Sequence, residues 1–169
     1  MEMAVIGIIV AIVVLLYVLA IHPSCRRAAR EAKREVRYYA HRGLYDNNSD
    51  APENSLRAFA LAAEAGYGIE LDVRLTKDGV PVIFHDPKLE RMCGCTGSIE
   101  DLNAAQTDAL RLLGTDQKVP RLQEVLELVA GRVPLLIEYK MEQMDATVCV
   151  RADRLLNSYP GEYCMESFH

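Results

Sequence analysis

Two hydrophobic patterns divide this chain. Residues 3–21 are 19 consecutive positions without a charge. At about 1.5 Å rise per residue a helix of that length reaches roughly 28 Å, close to the thickness of a bilayer's hydrocarbon. The pattern predicts one transmembrane anchor over residues 1–24. A cleaved signal would need a basic start and a small-residue cleavage site. Here the N-terminus carries Glu2, and Leu19-Ala20-Ile21-His22-Pro23-Ser24 offers no such site.

From residue 36 onward, short apolar or β-branched runs alternate with stretches of helical period, the pattern of a parallel α/β sheet or barrel. Strands are expected at 36–41, 68–75, 81–85, 133–139 and 163–168. The helix over 52–65 gathers Leu56, Phe59, Ala60 and Ala63 on one face, and that over 121–130 gathers Leu122, Val125, Leu126 and Val129. A third, less regular helix covers 141–157. Thr76-Lys77-Asp78-Gly79 reads as a tight turn between two strands, with Gly79 free to take positive φ.

The polar exceptions are more informative than the apolar rule. Strands inside a parallel sheet should be nearly continuous apolar runs, yet Glu70, Asp72, His85, Glu138 and Lys140 lie in or at the ends of such runs. Charge there is costly unless paired or metal-bound. Residues i and i+2 of a strand share a face, so Glu70 with Asp72, and Glu138 with Lys140, form two pairs each aimed one way. At the C-terminal ends of barrel strands, such groups converge on one mouth.

Charge refines this picture. The net charge of −5 divides unevenly, because residues 1–37 hold six Lys or Arg against three acids and the remainder holds thirteen against twenty-one. An acidic globular part lacks the basic footprint of a nucleic-acid binder. The basic residues at 26–37 form a linker over 25–37 beside the anchor. By the positive-inside rule they predict a single-pass cell-membrane protein with its domain, residues 38–169, in the cytoplasm. Five cysteines, Cys25, Cys93, Cys95, Cys149 and Cys164, show neither a disulfide framework nor a zinc spacing, which fits a reducing compartment.

Three carboxylates, Glu70, Asp72 and Glu138, are hard oxygen ligands suited to Ca2+ or Mg2+. His41 and His85, at strand ends, suit proton transfer near neutral pH. Arg42 offers a forked donor set for phosphate oxygens and Lys140 a point charge. Glu53 and Asn54 stand where a helix begins, and capping and loop ordering are their expected roles.

In order and spacing, His41-Arg42-Gly43, Pro52-Glu53-Asn54, Ile69-Glu70-Leu71-Asp72-Val73, Thr76-Lys77-Asp78-Gly79, Phe84-His85-Asp86 and Ile137-Glu138-Tyr139-Lys140 resemble the glycerophosphodiester phosphodiesterase family. The resemblance implies a TIM (β/α)8-type barrel and metal-dependent hydrolysis of glycerophosphodiesters to glycerol 3-phosphate and an alcohol, with Ca2+ or Mg2+ as cofactor. It matches His41 and His85 to the catalytic positions. The anchor directs attention to lipid-derived substrates such as lysophospholipids. A complete barrel has eight strands and about 250 residues, so five strands predict a barrel truncated after about the fifth. The alternative reading is a non-catalytic, membrane-anchored interaction module that keeps part of the barrel.

Overall fold

The computed structural model describes residues 2–21, 38–141 and 146–168. Two compact units are formed, residues 1–36 and 37–169. In the first, α1 (Glu2–Ile21) is a helix of 20 residues. Its side chains are described over residues 7–20, where the large apolar ones are exposed. Among the described residues no helix is long and apolar enough to cross a membrane, so the transmembrane span expected of residues 3–21 is not established by the fold. The basic linker at 25–37 lies outside the described residues.

In the second unit the elements run β1 (Tyr39–Ala40), α2 (Leu56–Glu64), β2 (Gly68–Leu75), β3 (Pro81–Ile83), α3 (Glu90–Cys93), α4 (Ala104–Thr107), α5 (Leu122–Val129), β4 (Leu135–Tyr139), α6 (Thr147–Leu156) and β5 (Tyr163–Glu166). Strands β1, β2, β4 and β5 lie side by side in that order, all parallel. Strand β3 departs from the expected all-parallel arrangement. It returns antiparallel along β2, with Val73 opposite Ile83. The turn explains this: Thr76 receives a hydrogen bond from Gly79 N–H at 2.8 Å and donates its own N–H to Val80, while Gly79 takes φ +77°. Four residues closed that tightly can only reverse the chain, whereas a parallel neighbour needs a crossover. Among the described residues the barrel-type sheet therefore has four parallel strands, not five.

Strand β2 is buried along both faces except at Leu75, as a central parallel strand must be. Helix α2 starts at Ser55, whose hydroxyl accepts the Ala58 N–H. It buries Ala58, Phe59, Ala62 and Ala63, a stripe rotated slightly from the expected one. Helix α5 buries Leu122, Val125, Leu126 and Val129 as expected. These faces pack with α6 against Ile69, Leu71, Val73, Leu135 and Ile137 as the main core. A second, smaller core of Val82, Phe84, Leu89, Met92, Ile99, Leu112 and Val119 lies under the stretch between β3 and α5. Its two α-helices have four residues each, too short to show a period in sequence.

Candidate active site

Register brings the charged residues to one end of the sheet. Asp72 on β2 pairs with Glu138 on β4, and Glu138 with Glu166 on β5, so three carboxylates stand in a row across neighbouring strands. Glu70, two residues before Asp72, shares their face. Phe84 N–H bonds Asp72 C=O at 2.9 Å, which carries the chain just past β3 to the same end and delivers His85 there.

The turn after β1 is strained. Arg42 has φ +58° and Gly43 φ +86°. A Cβ on Gly43 would lie 2.9 Å from the Ala58 backbone and side chain, so only glycine lets this turn settle on α2. The turn aims the Arg42 N–H at Glu70 Oε2, 2.8 Å away, and leaves His41 Nε2 4.0 Å from the same oxygen. Asn54, also at φ +58°, bonds Arg42 C=O through its N–H and Asp72 Oδ2 through its amide at 2.8 Å. Non-glycine residues held at positive φ cluster where function demands them.

Asp72 is fully buried. Besides Asn54, the Arg42 Nε lies 3.5 Å from its Oδ2 and Lys140 Nζ lies 3.2 Å from its Oδ1. The Lys140 ammonium also donates to Glu138 Oε1 at 2.5 Å. Glu70, Glu138 and Glu166 each offer an oxygen within 4.8 Å of the others. The structure thus brings together Glu70 and Glu138 of the expected ligand trio, adds Glu166, and turns the Asp72 carboxylate toward Arg42, Asn54 and Lys140. Burial, the Asp72 charge and, more weakly, the Glu138 charge push the Glu70 carboxyl up to about 7, against the Arg42 N–H bond. The donor set fits a hard divalent cation. Its atoms are carboxylate oxygens, Glu70 is destabilised by like charges that a cation would offset, and Asn54 Oδ1 is buried without accepting a hydrogen bond.

Glu53, expected to serve a helix end, does something else. It is 3% exposed and accepts from Arg42 Nη1 at 2.9 Å, Asn47 Nδ2 at 2.9 Å and Arg91 at 2.7 and 3.0 Å. Burial alone would raise its carboxyl, but the hydrogen bonds from Arg91, Asn47 and Arg42 hold it at about 2. The capping expected of Glu53 and Asn54 fails because Ser55 caps the helix, whereas loop ordering holds: the Asn47 amide donates to the Glu53 carboxylate and accepts the Glu53 N–H, each at 2.9 Å.

His85 is fixed from two sides. Its Nδ1 is 2.7 Å from Asp86 Oδ1, and its carbonyl accepts from the buried Arg74 guanidinium at 2.9 and 3.2 Å. Asp86 is held at about 2, first by the hydrogen bond from Arg91 and then by that from His85, against burial. Sequence reasoning left Glu53, Asn54, Asp86, Arg74, Arg91 and Glu166 out of the site. The motifs Pro52-Glu53-Asn54 and Phe84-His85-Asp86 did carry a signal for three of them.

Residues 41–162 match the Glycerophosphoryl diester phosphodiesterase family. The chain is 34% identical over 152 residues to human Glycerophosphodiester phosphodiesterase 1, covering 83% of this chain and 44% of that protein. It is 37% identical over 114 residues to the Bacillus altitudinis glycerophosphodiester phosphodiesterase, covering 63% and 45%. Among solved structures, an Oleispira antarctica phosphodiesterase in complex with the product sn-glycerol-3-phosphate aligns with TM-score 0.71 at 29% identity, over 79% of this chain and 58% of that one. The Agrobacterium tumefaciens glycerophosphodiester phosphodiesterase aligns with TM-score 0.66 at 32% identity, over 80% and 59%. The chain spans less than half the length of these two curated relatives. With six motifs in register, four parallel strands of TIM-barrel type and a family match over most of its domain, the chain belongs to the glycerophosphoryl diester phosphodiesterase family.

Proposed function

We propose that this site hydrolyses glycerophosphodiesters to glycerol 3-phosphate and an alcohol. The observation that carries the reading is the meeting, at one end of the sheet, of a buried carboxylate cluster with His41, Arg42 and Lys140, while His85 stands at the same end. Glu70 and Glu138, with Glu166 or Asp72, would hold Ca2+ or Mg2+, which when bound would offset the charge that builds on phosphoryl oxygens. Arg42 binds a phosphate oxygen through its guanidinium, and Lys140 offsets charge on the opposite side. One histidine takes the proton from the attacking oxygen as the new P–O bond forms. The other gives a proton to the alcohol oxygen as its P–O bond breaks.

The roles of the histidines separate by leaving group. His41→Ala and His85→Ala should each lower kcat by roughly 10²-fold with little change in Tm. A nitrophenyl diester, which leaves without protonation, should restore only the variant lacking the acid. Loss of fold in both variants, with no dependence on leaving group, would make the histidines structural and remove the mechanism.

The apolar run at 3–21 and the basic residues that follow it support a single-pass anchor, with the domain at the cytoplasmic face and lysophospholipids within reach. Protease added to intact cells should then spare the domain. Its rapid digestion would overturn that orientation.

A further inference from the structure

Arg91 belongs to none of the motifs that mark the site, yet it joins its two arms. The residue sits on α3, whose position is set by the second core: Leu89 and Met92 are buried there, and Leu89 N–H bonds Gly97 C=O at 3.0 Å. From that footing the guanidinium forks twice. Its Nε and Nη2 donate to the two oxygens of Asp86 at 2.6 and 2.8 Å. Its Nη2 and Nη1 donate to the two oxygens of Glu53, 38 residues away in sequence, at 2.7 and 3.0 Å. Asp86 passes the restraint to His85 Nδ1, and Glu53 passes it to Arg42 Nη1.

Four donor contacts on two carboxylates leave Arg91 little capacity for a substrate phosphate. The planar fork can hold both carboxylates at once in fixed orientation, which a lysine point charge cannot. Asp86, pinned by the fork, presents its oxygen to His85 Nδ1 and so selects the tautomer with the proton on Nδ1 and Nε2 directed away from Asp86. A carboxylate behind an imidazole fixes both tautomer and ring orientation.

We infer that Arg91 is a positioning residue that locks the histidine arm, His85 with Asp86, to the phosphate arm, Arg42 with Glu53. The inference rests on the proposed diesterase reading for its kinetic consequence, but its structural consequence stands apart from it. The stretch between β3 and α5 thereby takes part in catalysis without touching substrate.

The test uses the purified protein and three variants, Arg91→Ala, Arg91→Lys and Asp86→Asn. With glycerophosphocholine, Arg91→Ala should lower kcat by roughly 10²-fold, the scale of a misplaced catalytic group, and raise KM as Arg42 loses its support. Arg91→Lys should recover less than a tenth of the lost rate, and Asp86→Asn should change kcat while leaving KM nearly unmoved. Combining Arg91→Ala with Asp86→Asn should cost kcat little beyond the worse single variant. In parallel, 15N shifts of the His85 ring should report one tautomer in the unaltered protein and a mixture in Arg91→Ala. Should Arg91→Ala fail to fold, Asp86→Asn carries the same ring measurement. An unmoved His85 signal, or an Arg91→Lys variant with unaltered kcat and KM, would overturn the inference. Absence of hydrolysis by the unaltered protein would instead count against the diesterase reading, and the ring shifts would still decide the role of Arg91.

Discussion

Asp72 and Glu138 are register partners on adjacent parallel strands, and the Lys140 ammonium stands between them, 3.2 Å from one carboxylate and 2.5 Å from the other. Side by side on a buried sheet face, the two acids would repel, and this ammonium and the neighbouring Arg42 are the cations that offset them. Removing one partner of a buried ion pair leaves the other charge uncompensated, at a cost of about 3 kcal/mol or more. Lys140→Met should therefore lower stability by an amount of that order in the presence of chelator. Millimolar Ca2+ or Mg2+ should return a large part of it, since a cation in the cluster takes over the same role. Thermal denaturation with and without the ion measures both effects, and equal melting of variant and parent in chelator would remove the argument.

Glu53 gives the pH dependence. Its carboxyl lies at about 2 in the folded chain against an ordinary 4.5. A group whose folded value is depressed adds stability above its unfolded value, and that stability is lost as pH falls through the folded one. The contribution, on the order of 3 kcal/mol at full ionisation, should be intact above about pH 4.5 and fade toward pH 2. Denaturant titrations between pH 6 and 2.5 should show a steep fall for the parent. Glu53→Gln should show a shallower one, and identical slopes would contradict the assignment.

The sequence made much of this legible, and for a physical reason. Glu70, Asp72, Glu138 and Lys140 interrupt apolar strands, and buried charge in a parallel sheet announces a site. Strand β2 and the stripe of α5 were equally plain, because a run of seven buried residues and a repeat of Leu122, Val125, Leu126 and Val129 each exceed what chance supplies. Glu166 was not legible. It ends a strand of four residues, none of them buried, so its charge does not stand out against a buried apolar run, and only register against Glu138 reveals it. Arg91 was hidden for another reason: its meaning lies in a contact with Glu53 across 38 residues that no local period encodes. The reversal of β3 was half legible, since the turn is visible in Thr76 to Gly79, but the apolar run Pro81 to Ile83 reads the same in a parallel or an antiparallel strand.

Gly43 tests the backbone of the site. At φ +86°, with Ala58 atoms 2.9 Å from the place of a Cβ, Gly43→Ala adds both torsional strain and a clash with α2. The expected loss of stability is roughly 2–4 kcal/mol. Because the same turn aims Arg42 at Glu70, binding of sn-glycerol 3-phosphate should weaken at least about tenfold, 1.4 kcal/mol. Urea denaturation and calorimetry measure the two losses. A variant as stable as the parent would mean that the turn relaxes without cost.

The proposed role of Glu70, Glu138 and their neighbouring carboxylates is to hold a cation needed for cleavage of a phosphodiester. The most direct measurement follows products from glycerophosphocholine by 31P NMR, with the purified protein in EDTA, in Ca2+ and in Mg2+. Glycerol 3-phosphate is expected in at least one of the metal solutions and not in EDTA, with loss of the metal-supported rate in Glu138→Gln. Equal rates in EDTA and in metal, or a cyclic phosphate as the sole product, would contradict that role.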